Sequence, residues 1–122
     1  MKICITSEGG NLDSNVDPRF GRCQYFIIVD TQTSKFEAIP NPNNEAMGGA
    51  GIQSAQLVAS KQVKAVLTGN VGPNAFQTLN AGRIDIYTGI SGSVKEAIEA
   101  YKSGKLKKTE SPSVGSKFGM GK

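Results

Sequence analysis

The chain reads as an α/β domain built on a mixed sheet, and three observations predict it. In its second half, short apolar runs of strand length alternate with helix-spaced stripes, a pattern that implies right-handed parallel crossovers. In its first half, two strand-like runs flank the turn Thr31-Gln32-Thr33-Ser34, which predicts an antiparallel hairpin. The length, 122 residues, suits one domain and not two of ordinary size. The predicted order is β-β-β-α-β-α-β-α, with five strands in one mixed sheet and three helices on its faces.

Each element follows from local pattern. Lys2–Thr6 is a first strand, with Ile3 and Ile5 on one face and Cys4 on the other. Ser7–Arg22, rich in Gly, Asn, Asp and Ser, reads as an ordered loop. Tyr25–Asp30 is apolar throughout and so central, and Phe36–Pro40 completes the hairpin. After a loop from Asn41 to Gly51, Ile52, Ala55, Val58 and Ala59 fall on one helical stripe. Val63–Thr68 is a short buried strand. Pro73 suits the first position of a second helix, with Phe76 and Leu79 facing inward. Ile84–Tyr87 is the last strand. Ser93 and Glu96 have capping-box spacing, and Val94, Ala97, Ile98 and Tyr101 form a core-facing stripe. Residues 1–101 are the expected domain, and 102–122 a flexible lysine- and glycine-rich tail.

Composition narrows the function. There is no histidine, which removes the usual general base, imidazole-dependent nucleophile triads and nearly every common zinc site. Cys4 and Cys23 cannot alone close a four-thiolate cluster site, and free thiols fit a reducing compartment. No run approaches a membrane span, and the start of the chain lacks a signal peptide's pattern, so a cytoplasmic protein without a membrane partner is expected. The net charge is +4, but the tail carries six lysines against one acid, leaving residues 1–101 near neutral. That distribution argues against a nucleic-acid partner.

Three helices are preceded by glycine: Gly48-Gly49-Ala50-Gly51, Gly69-Asn70-Val71-Gly72 and Gly89-Ile90-Ser91-Gly92. Loops that follow parallel strands lie at their carboxyl ends, where α/β sheets bind ligands. Helix starts there offer unpaired N–H groups to an anion, and glycine lets it approach closely. The same glycines also serve as ordinary turn formers. None of the loops is a G-x-x-x-x-G-K-[ST] phosphate loop.

The segment Asp17-Pro18-Arg19-Phe20-Gly21-Arg22-Cys23 carries the most chemistry. Arg19 and Arg22 can hold an anion through several donors each. Two nearby cations would also favour the Cys23 thiolate, a ligand for soft metals. A packing role stands beside this: Arg19 paired with Asp17, Phe20 plugging the core, and Cys23 a small buried apolar residue. Cys4, in mid-strand, reads as core.

Asp17-Pro18-Arg19-Phe20-Gly21-Arg22, the following Tyr25-Phe26, Gly48-Gly49-Ala50-Gly51 and Gly69-Asn70-Val71-Gly72-Pro73-Asn74-Ala75 resemble, in order across residues 1–101, the dinitrogenase iron–molybdenum cofactor biosynthesis domain. The resemblance implies a ribonuclease H-like motif without nuclease activity, and an accessory or carrier role. The implied cargo is an iron–molybdenum–sulfur or molybdenum–copper–sulfur cluster, or a precursor, with cofactor donor or acceptor proteins as partners. Many members have histidine just before the Phe-Gly-Arg element; here Arg19 stands there, so imidazole ligation is impossible.

The expectation is therefore a non-catalytic binding protein for an anionic metal–sulfur cluster or oxyanion. Its cofactor-binding residues are Arg19, Phe20, Gly21, Arg22, Gly48, Gly49, Gly51, Gly69, Asn70 and Gly72, and Cys23 is the one thiolate beside them. Two alternatives remain. A ribonuclease H-like metal-dependent enzyme needs converging acids, and Asp13, Asp17, Asp30 and Asp85 are scattered in sequence. A regulatory or scaffold domain would use the basic tail on an acidic partner.

Overall fold

A computed structural model describes residues 1–42 and 49–113. The strands are β1 (Lys2–Ser7), β2 (Tyr25–Asp30), β3 (Phe36–Pro40), β4 (Ala65–Leu67) and β5 (Asp85–Tyr87). The helices are α1 (Ala50–Ser60), α2 (Pro73–Ala81) and α3 (Val94–Lys102), in the predicted interleaved order. The sheet runs β3-β2-β1-β4-β5. β2 is antiparallel to both neighbours, whereas β1, β4 and β5 are mutually parallel. This order is compatible with a ribonuclease H-like motif.

Register explains the layers. Cys4 lies opposite Ile28 and Val66, and Val66 opposite Ile86. This row enters one core with Ala55 and Val58 of α1 and Ala75 and Leu79 of α2. The alternate row, Ile3, Ile5, Ile27, Val29, Ala65 and Leu67, packs with Val94, Ala97 and Ile98 of α3. Period-two alternation in strands buried on both faces thus divides the core between two helical layers. The capping box of α3 forms as expected, with the Glu96 N–H donating to Ser93 Oγ and the Ser93 N–H to Glu96 Oε1.

The stripe of α1 differs from the sequence reading. Ala50, Ser54, Ala55 and Val58 are buried, while Ile52 is 37% exposed and Ala59 also faces outward. The cause is a close helix–helix approach: a Cβ on Gly51 would stand 3.3 Å from the Cβ of Ala75. Small residues must therefore face α2, and the bulkier Ile52 turns away. Phe76 of α2 is only partly buried, behind Ala75 and Leu79.

The stretch after α3 also makes contacts its composition does not foretell. Leu106 packs against the α3-side core. The Thr109 N–H donates to the Ile86 carbonyl at 2.7 Å, and the Ser113 N–H to the Val71 carbonyl at 3.0 Å. Residues 104–113 so form a strap along the outer edge of β5. The composition-based boundary at residue 102 does not mark where contacts with the body end. Phe118 and Met120, the tail's apolar residues, lie outside the described residues, as does Gly48 of the first glycine loop.

Candidate functional site

The loops that leave β1 and β4, with the start of α1, meet at one edge of the sheet, beyond the carboxyl ends of the parallel strands. The Arg19 segment is laid across the β4–α2 loop like a short extra strand, with Arg19 bridged to Asn70. The Asn70 N–H donates to the Pro18 carbonyl (2.7 Å), and the Phe20 N–H to the Asn70 carbonyl (3.1 Å). Gly69 permits this approach: a Cβ there would lie 2.6 Å from Pro18 Cα.

Gly21 makes the second junction. Its φ is +68°, and a Cβ would lie 3.0 Å from Gly51 Cα, so the segment rests directly on the first turn of α1. Asn41 Nδ2 donates to the carbonyls of Gly21 and Cys23, both at 3.0 Å, and Ser54 Oγ donates to Gly21 at 3.2 Å. Asn41 and Ser54 were missed by sequence reasoning. A lone asparagine after a strand and a serine inside a helix give no periodic signal.

Asp17 organises the segment from inside. Its N–H donates to the Thr6 carbonyl and its own carbonyl accepts from Thr6 Oγ1, which also lies 2.8 Å from Thr68 Oγ1. The Asp17 side chain is 1% exposed. Its Oδ1 accepts from the Arg19 N–H (3.0 Å) and Nε (3.2 Å). Its Oδ2 accepts from an Arg19 terminal nitrogen (3.3 Å) and the Gln24 N–H (3.2 Å). The Arg19 side chain, 52% exposed, is thus anchored on one side and open to solvent on the other. Its hydrogen bond to Asp17 raises its pKa further.

Phe20 is buried and packs on Phe26, ring centroids 5.9 Å apart. Arg22 is exposed. Cys23 is fully buried in the core shared with Cys4. Burial, then the nearby Asp17 carboxylate, push its thiol well up, and Arg19 offsets this only weakly. The expected lowering of the Cys23 pKa by two arginines is therefore corrected. Burial of the thiol outweighs the favourable charge of Arg19. The packing roles written for Arg19, Phe20 and Cys23 are all present in the structure.

The three helix starts differ. Ser14 and Leu12 carbonyls accept from the Val94 and Lys95 N–H groups of α3, so that end is closed by the protein's own loop. Gly49 (φ +73°) and Gly72 begin α1 and α2 with no side-chain cap. A Cβ on Gly72 would meet nothing within 4 Å. Gly21, Gly51 and Gly69 are packing glycines, then; Gly72 faces open space, and a Cβ on Gly49 would touch only the Gln53 amide at 3.9 Å. Of the four aspartates, Asp17 sits here, and Glu8 lies close enough to act on Arg19 as well. Asp30 and Asp85 lie at the opposite edge, against the terminal amine and Lys108. Among the described residues, no three of His, Cys, Asp and Glu gather as a metal-ligand set.

The buried thiols give a pH prediction. Cys4 and Cys23 are both held protonated in the fold, above an ordinary value of 9.0. Unfolding at alkaline pH releases protons that the folded state retains. Stability is then full below pH 9 and falls above it, by up to about 1.4 kcal/mol per pH unit for each thiol. Thermal unfolding from pH 7.5 to 10.5 should show the decline, and Cys23→Ala should make it shallower.

Fold and site together define a small α/β protein with an arginine-bearing, glycine-rich face at the carboxyl edge of its sheet. The chain belongs to the dinitrogenase iron-molybdenum cofactor family, whose model matches residues 1–104. It is 34% identical over 113 residues to the uncharacterised Methanocaldococcus jannaschii protein MJ0580, covering 90% of this chain and 92% of the relative. The apo form of the orange protein from Desulfovibrio gigas superposes with a TM-score of 0.90 at 36% identity, over 93% of this chain and 96% of that one. A candidate NifB protein from Thermotoga gives a TM-score of 0.79 at 37% identity, over 93% and 98%. The family ties the chain to metal–sulfur cofactor biology. No helix among the described residues is long and apolar enough to cross a membrane.

Proposed function

We propose that this chain is a non-catalytic carrier or binding protein for an anionic metal–sulfur cluster or its precursor. The cargo sits at the carboxyl edge of the sheet and is held largely without covalent bonds. One observation carries the reading: Arg19, half exposed and fixed by Asp17, stands on the same edge as the uncapped starts of α1 and α2. Arg19 and Arg22 supply charge, and the first N–H groups of α1 after Gly49, with those of Asn74 and Ala75 beyond Pro73 in α2, supply directed donors. Gly21, Gly51, Gly69, Asn70 and Phe20 hold these parts in register.

The donor set fits an anionic cluster bound through its outer sulfur or oxygen atoms better than a metal taken up by side chains. With Cys23 buried and protonated, thiolate ligation would require the segment to open. The expected cargo is an iron–molybdenum–sulfur or molybdenum–copper–sulfur species handed between donor and acceptor proteins, with neither nucleic acid nor membrane involved. The fall of Asp30 and Asp85 at the opposite edge weighs against the metal-dependent enzyme alternative.

Anaerobic titration with tetrathiomolybdate, with and without copper, tests the reading by absorbance and metal analysis. Arg19→Ala and Arg22→Ala should each weaken binding by roughly tenfold to a hundredfold, the loss of one charge-assisted hydrogen bond of about 1.5–3 kcal/mol. Cys23→Ser should retain binding. Unchanged affinity in both arginine variants would remove the electrostatic site, and loss of binding in Cys23→Ser would establish thiolate ligation instead.

A further inference from the structure

The strap reaches the candidate site at Ser113. After pairing with β5, the chain runs on to Ser113, which engages both backbone groups of Val71. The Val71 N–H donates to Ser113 Oγ at 2.8 Å, and the Val71 carbonyl accepts from the Ser113 N–H at 3.0 Å. Val71 is 1% exposed, so its N–H depends on that hydroxyl rather than on water. Its neighbours are Asn70, which is bonded to the Arg19 segment, and Gly72, which starts α2. Two further contacts fix the strap's course. Thr109 Oγ1 accepts from the Thr88 N–H at 3.0 Å, and Lys108 Nζ lies 3.5 Å from Asp85 Oδ1.

We propose that Ser113 is a positioning residue for the Gly69–Gly72 loop, and that the strap sets the geometry of the site from behind. By holding Val71 at both its N–H and its carbonyl, Ser113 fixes the direction of the peptide planes on either side. Asn70 is thereby kept against Pro18 and Phe20, and the start of α2 is kept aimed at the mouth of the site. Detaching the strap frees Val71 and loosens both. Strap docking and site occupancy are then linked, each favouring the other by the same factor. The occupancy part rests on the proposed cluster-binding reading, whereas the loop-holding part does not.

Hydrogen exchange at Val71 and Gly72, read residue by residue by NMR, tests the positioning without any ligand. In Ser113→Ala the Val71 amide should exchange at least tenfold faster. Ser113→Thr keeps the hydroxyl and should restore protection. Alongside, tetrathiomolybdate affinity should fall about fivefold to tenfold in Ser113→Ala and recover in Ser113→Thr. Unchanged Val71 exchange in Ser113→Ala overturns the proposal. Faster exchange with undiminished tetrathiomolybdate binding overturns the link to the site. If the wild-type chain fails to bind tetrathiomolybdate, the cluster reading falls, and accelerated exchange rescued by threonine still supports loop positioning.

Discussion

Asp17→Ala is expected to lower stability by about 3 kcal/mol and to release the segment from Asp17 to Gln24. The carboxylate is buried and accepts four hydrogen bonds, two of them from the backbone N–H groups of Arg19 and Gln24. Hydrogen bonds to a charged group contribute about 1.5–3 kcal/mol each. The two guanidinium bonds count for less, because Arg19 is half exposed and water replaces part of them. Asp17→Asn keeps one acceptor oxygen and turns a donor toward Gln24 or Arg19, so it should lose roughly half as much. Urea unfolding measures the loss, and amide exchange at Gln24 locates it. A change below about 1 kcal/mol in Asp17→Ala would show that the carboxylate is not what ties the segment down.

The fold was legible because its signals are periodic. Ile3 and Ile5 against Cys4, and Val94, Ala97, Ile98 and Tyr101 along α3, reflect repeats of 2 and 3.6 residues, which a sequence displays directly. The error at α1 has the same root. Its buried face, Ala50, Ser54, Ala55 and Val58, is mostly of small residues because α2 comes close at Gly51, and hydrophobicity cannot report a distance of approach. Ile52 therefore looked like core and is not.

The site was legible as a set of segments but not as an arrangement. Arg19-Phe20-Gly21-Arg22 and the loop at Gly69–Gly72 could each be singled out, and the fold does bring them to one edge. What spacing could not show was that Cys23 is buried, which raises its thiol more than the nearby charges shift it. Two arginines adjacent in sequence suggest a thiolate, yet alternation along the segment turns Arg22 outward and Cys23 inward, beside Asp17. Nor could composition reveal the strap. Its polar residues are attached through backbone groups and the hydroxyls of Thr109 and Ser113, contacts that leave no apolar pattern.

Gly69→Ala should be the most damaging single-methyl change at this edge. A Cβ at Gly69 would lie 2.6 Å from Pro18 Cα and 2.9 Å from Pro18 O, and both are backbone atoms that no rotamer change can move aside. The Asp17–Gln24 segment must lift, which stretches the Asn70–Pro18 and Phe20–Asn70 hydrogen bonds and disturbs the Arg19 anchor. Overpacking costs about 1–3 kcal/mol, and the weakened bonds add about 1 kcal/mol. A domain of this size should then lose roughly 10–20 °C in melting temperature. Gly72→Ala is the matched comparison. Gly72 has φ −83° and ψ 174°, which alanine adopts freely, and its missing Cβ faces open space, so stability should change by less than about 0.5 kcal/mol. Any loss of tetrathiomolybdate binding in Gly72→Ala would then come from crowding the mouth of the site. The two variants separate glycine that lets the protein approach itself from glycine that leaves room for cargo. Equal melting temperatures for the pair would show that the Pro18 contact does not constrain position 69.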